Sequence, residues 1–115
     1  MAKYEQALMG NVDELVAHLD RSIQGTSATA KFEDSSDHRL GDARMVVRVY
    51  ERYSAMGGNR VSLNVSILAV ADQIAVSAIT SGGSQAMFFK LNTVGEETFL
   101  GKAVDAIESF RSAGG

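Results

Sequence analysis

No cysteine and no proline occurs in the 115 residues. Without thiols the chain has no disulfide, no thiol nucleophile, no zinc–thiolate site and no iron–sulfur cluster. Without proline it has no polyproline II segment, and every turn must be built from Gly, Asn, Asp and Ser. No apolar run approaches the length of a membrane span, and Met1-Ala2-Lys3-Tyr4-Glu5-Gln6 is polar where a secretory signal has an apolar core. A cytoplasmic protein without a membrane role is the expectation. Basic residues are also in deficit, 11 Lys and Arg against 14 Asp and Glu, for a net charge of −3. Nothing global attracts the chain to nucleic acid, which is therefore disfavoured as a partner.

What is present is a core-forming composition, 45% hydrophobic, enough for one domain over residues 1–115 and too little for two. The organising stretch is Ala43 to Ser81, where apolar and polar residues alternate with the period of a strand. Val61, Leu63, Val65 and Ile67 take one face against Ser62, Asn64 and Ser66. On the preceding strand Met45, Val47, Val49 and Tyr53 oppose Val46, Arg48, Tyr50 and Arg52. Gly57-Gly58-Asn59 supplies the turn between these two strands, and a further hairpin turns near Asp72-Gln73 into Ile74–Ile79.

Upstream, residues 3–9 read as a strand in preference to a helical extension. Asn11-Val12-Asp13-Glu14 has the layout of a capping box and opens a helix from Val12 to about Gln24. Its buried stripe is Val12, Leu15, Val16, Leu19 and Ile23, with Asp13, Glu14, Asp20 and Arg21 outward. Ser27 to His38 reads as a strand whose polar second half belongs near a sheet edge, and Leu40-Gly41-Asp42 turns the chain. Downstream, Met87-Phe88-Phe89-Lys90-Leu91 reads as an extended run, and its adjacent aromatics give modest support for a covering partner chain. A second helix opens at Thr93-x-x-Glu96, with Phe99, Leu100, Ala103, Val104, Ile107 and Phe110 as its stripe.

The order β-α-β-β-β-β-α predicts an α+β two-layer sandwich, an antiparallel meander sheet with two helices on one face. That order is similar to TATA-binding-protein-like and helix-grip domains, a likeness of topology that carries no site residues. The wording of Val49-Tyr50-Glu51-Arg52-Tyr53-Ser54, of Gly57-Gly58-Asn59-Arg60-Val61-Ser62-Leu63 and of Ala78 to Ala86 resembles a family of small bacterial proteins of unknown function. The resemblance spans nearly the whole chain and implies no activity.

The candidate site is the polar face of the sheet, away from the helices. Arg48, Tyr50 and Arg52 at i, i+2 and i+4 stand roughly 7 Å apart along a strand. With Arg60 and Asn64 they could grip a phosphate or carboxylate, guanidinium groups pairing bidentately and the tyrosine stacking or donating. Against this stands a solvated or homodimer face, where Arg and Tyr are common, and the weighing favours the latter. Glu51 falls out of phase on the inward side, which a strand end or a bulge would explain. The Ser81-Gly82-Gly83-Ser84-Gln85 loop lacks the lysine and following helix of a P-loop. His18 and His38 lack the companions of a metal or nucleophile site, and Gly-x-Ser-x-Gly is missing. The expectation is thus a non-catalytic binding or self-association module, needing no cofactor or metal. A small anion-binding domain, conceivably enzymatic, is the alternative.

Overall fold

The computed structural model describes residues 2–24, 30–53, 60–82 and 89–113, with the backbone alone for residue 53 and residues 89–98. Five strands and two helices follow in the order β1 (Ala2–Met9), α1 (Val12–Gln24), β2 (Ala30–Leu40), β3 (Ala43–Tyr53), β4 (Arg60–Val70), β5 (Gln73–Gly82) and α2 (Phe89–Ser112). The strands form one antiparallel sheet in the spatial order β1-β5-β4-β3-β2. The two-layer α+β architecture expected from the alternation and the two helical stripes is what forms.

Local chemistry explains the junctions. Asn11 caps α1, its Oδ1 accepting from the Glu14 backbone N–H at 3.0 Å, and so separates β1 from the helix. Gly41 takes a positive φ of 61° in the two-residue link between the Leu40–Ala43 pair. The equivalent link between Val70 and Gln73 is Ala71-Asp72, one residue earlier than the sequence suggests, and Ala71 adopts φ 54°. β2 lies at the sheet edge and is exposed along nearly its whole length, as its polar composition requires. The Gly57-Gly58-Asn59 turn and residues 83–88, including Met87 and Phe88, lie outside the described residues.

β2 runs on to Leu40, past the expected end at His38, and the start of α2 differs as well. Phe89, Lys90 and Leu91 belong to α2 rather than to an extended run. Thr93-Val94 and Gly95 lower helix propensity by up to about 1 kcal/mol per residue, which makes Thr93 look like a start. The backbone instead runs helically through them.

The core lies between the sheet and both helices. α2 lies over β1, β5 and β4, with α1 beside it toward β2. Leu15, Leu19 and Ile23 of α1 and Phe99, Ala103, Ile107 and Phe110 of α2 are buried against Val61, Leu63, Val65 and Ile67 of β4 and Ile74, Val76 and Ala78 of β5. One face of the sheet is covered, and no described helix lies on the other.

Candidate functional site

The pairing register divides the five candidate residues between two faces. Residues opposite each other in an antiparallel pair project to the same side. Arg48 pairs with Val65, Tyr50 with Leu63 and Arg52 with Val61, so all three lie on the helix-covered face. The expectation of an outward Arg48-Tyr50-Arg52 surface is corrected on this point. A one-residue difference in register exchanges every side chain between faces. Here it directs Met45, Val47, Val49 and Glu51 to the open side, opposite Leu68, Ser66, Asn64 and Ser62. Asn64 and Arg60 remain on the open face, separated from the other three by the thickness of the sheet.

What makes an inward arginine and tyrosine tolerable is Asp20 of α1, which the sequence places outward. Tyr50 is fully buried and donates from Oη to Asp20 Oδ1 at 2.5 Å. Arg48 donates from Nη2 to Asp20 Oδ2 at 2.5 Å. The Arg48 guanidinium lies 4.2 Å over the Phe32 ring, which meets Tyr50 edge-on at 6.2 Å. Arg48 Nε, buried, has no hydrogen-bond partner among the described residues. Arg52 stacks on Phe99 at 5.1 Å. Burial, then the hydrogen bond to Asp20, pushes the Tyr50 phenol well above its ordinary value. Burial works against the charge of Arg48, but the bond to Asp20 outweighs it and leaves that group still more basic. A signal for Asp20 did exist. Val12, Val16 and Asp20 fall at i, i+4 and i+8, so Asp20 continues a half-buried row of the helical stripe.

The open face is ordered in rows. At the end with the two short turns it is mainly apolar: Met9, Gln73, Val70, Ala43 and Leu40 share one row, and Ala7, Ala75, Leu68, Met45 and His38 the next. Toward the other end polar residues are interleaved with aliphatic ones, Glu5, Ser77, Ser66, Val47 and Ser36 in one row, then Lys3, Ile79, Asn64, Val49 and Asp34. Glu51 ion-pairs with Arg60 and accepts from Ser62 Oγ at 3.3 Å, so Glu51 fits its phase without any bulge in β3. The bulge is in β2, at Glu33. A shallow depression of about 570 Å³ lies over the apolar rows, lined by Ala7, Met45, Leu68 and Ala75 with Glu5, Ser66 and Ser77.

Two further polar clusters tie helices to sheet. Tyr4 Oη and Gln6 Nε2 of β1 both donate to Glu108 of α2, which also pairs with Arg111 at 2.9 Å. Arg44 bridges Asp13 of α1 at 2.8 Å and Asp37 of β2 at 2.7 Å. His18 Nε2 stands 2.8 Å from Ser109 Oγ, joining the helices. Among the described residues no group of three His, Asp or Glu is placed to hold a metal ion, and no helix is long and apolar enough to cross a membrane.

The model of a family of unknown function, DUF6054, matches residues 1–111, and the chain belongs to that family. No curated protein and no solved structure matches it.

Proposed function

We propose, taking membership of this family as the premise, that the chain is a non-catalytic self-association module working through the open face of its sheet. The observation that supports this most is where the exposed apolar side chains lie. Among the described residues, Met9, Leu40, Met45, Leu68, Val70 and Ile79 all project from that one face, and Phe32 is the only other large apolar side chain so exposed. Leu40 is 85% exposed and Met9 59%. Keeping apolar surface in water costs about 25 cal/mol per Å², and contiguous patches beyond a few hundred Å² mark interaction surfaces in monomers. Of the residues that suggest an anion grip, Arg48 and Tyr50 turn their donors to Asp20 and Arg52 lies on Phe99, inside the covered layer, while Arg60 pairs with Glu51 on the open face.

The test is solution mass. The wild-type chain, 12.3 kDa per copy, is expected to sediment as a dimer, and Met45→Glu/Leu68→Glu as a folded monomer with an unchanged far-UV spectrum. Arg48→Glu should instead lower folding stability, because it sets a second carboxylate against Asp20. A wild-type protein that stays monomeric across the accessible concentration range would remove the proposal.

A further inference from the structure

The open face is asymmetric along its strands and nearly symmetric across them, and this restricts how two copies can meet. We infer that a second copy packs face to face about a two-fold axis running along β4, bringing Leu68 against its counterpart. The inference rests on the self-association proposed above and adds its geometry.

Two families of two-fold axis bring one sheet face onto its copy. An axis perpendicular to the strands keeps each strand over itself and reverses the rows. The apolar end with Leu68 and Met45 would then lie on the polar end with Asn64 and Ser62, leaving polar groups without water or partners. An axis parallel to the strands preserves the rows and exchanges the two sides of the sheet. Apolar rows then meet apolar rows. β4 is the middle strand of five, so only an axis along it superposes the whole face on itself.

Area and charge both suit this arrangement. Five strands about 4.8 Å apart, eight to eleven residues long at about 3.3 Å per residue, give a face of roughly 600–900 Å², on the scale of the roughly 800 Å² each partner contributes to a standard stable interface. The chain carries −3 overall, yet the paired outward positions of the strands, the bulged Glu33 aside, hold three cations, Lys3, Lys31 and Arg60, against three anions, Glu5, Asp34 and Glu51. Self-packing therefore brings no net like charge together. The axis also carries β1 across to β2, placing the Lys3 row of one copy beside the Asp34 row of the other. Sheets stacked this way cross at about 30°, which moves edge contacts by up to a row but leaves the centre of β4 in place. Arg60, at the start of β4, is already neutralised by Glu51, and Leu68 lies on the central strand of the apolar rows.

Because the native chain has no cysteine, single-cysteine variants report the axis directly. Leu68→Cys is expected to give a disulfide-linked dimer on mild oxidation. Ala7→Cys sits two strands off the axis, so its two copies are roughly 19 Å apart and should stay unlinked. Ser66→Cys, one row from Leu68→Cys, serves as the second on-axis probe should Leu68→Cys fold poorly. A protein that sediments as a dimer but links through Ala7→Cys and through neither on-axis cysteine would overturn the axis while sparing self-association. A monomeric wild type would remove both, and so would stable capture of a different occupant by the face.

Discussion

At the scale of single residues, the decisive group is Asp20. It accepts from Tyr50 and Arg48 together, and both donors lie in a layer filled mainly by apolar side chains. Removing the carboxylate leaves a buried hydroxyl and a half-buried guanidinium to find other partners. With Arg48 and Asp20 both partly exposed, Asp20→Ala is expected to cost about 2–3 kcal/mol of unfolding free energy, and Tyr50→Phe about 1–2 kcal/mol. The double variant should cost clearly less than their sum, since each single change already breaks the shared bond. Urea denaturation of the four proteins checks this; strict additivity would mean the pair is not coupled. The same residues show what alternation can and cannot say. In β3 it separates Met45, Val47 and Val49 from Arg48, Tyr50 and Arg52, and that division is real. Which group turns inward depends on an acceptor from α1, 28 residues earlier for Arg48 and 30 for Tyr50. Hydrophobicity alone points the wrong way, because three aliphatic residues are left on the open face.

At the scale of elements, α1 and the meander from β2 to β5 follow from local signals, whereas the pairing of β1 with β5 and the first turn of α2 do not. Asn11 and the Leu15, Leu19, Ile23 spacing define α1, and the polarity of β2 places it at an edge. Register is not local, since it depends on links and on irregularities such as the extra residue at Glu33. Phe32 pairs with Tyr50 and Asp34 with Val49, so Glu33 has no opposite number. Deleting it should restore a regular ladder with every other side chain on its present face. Glu33 deletion is therefore expected to melt within a few degrees of wild type. Deleting Ser66 from the central, unbulged β4 should exchange the faces of half that strand and abolish cooperative unfolding. If thermal denaturation finds both deletions equally damaging, the bulge has a role beyond the spare residue.

At the scale of the whole molecule, the polar ties between the layers set the pH range over which the fold holds. The hydrogen bond from Arg44 keeps the Asp37 carboxyl below its ordinary value, and the bond from Tyr4 does the same for Glu108. A carboxylate with a depressed folded value contributes stability that is fully present above its unfolded value and is lost as pH falls through the folded one. Both contributions should therefore fade below about pH 4. At the other limit, burial raises the phenols of Tyr50 and Tyr4, each reinforced by a carboxylate acceptor. An acid whose folded value is raised holds its proton after the unfolded chain has released its own. Stability from these two tyrosines is thus present below about pH 10 and declines above it, at up to about 1.4 kcal/mol per pH unit for each. The urea midpoint should form a plateau through neutral pH with a fall on either side. Glu108→Gln should lessen the acid slope, and Tyr50→Phe should lessen the alkaline slope while lowering the plateau. The open face carries no member of these clusters, so Met45→Glu/Leu68→Glu should dissociate the dimer without reshaping either limb once protomer concentration is held fixed. An alkaline limb that stays as steep in Tyr50→Phe would show that the phenol held by Asp20 does not set the upper limit.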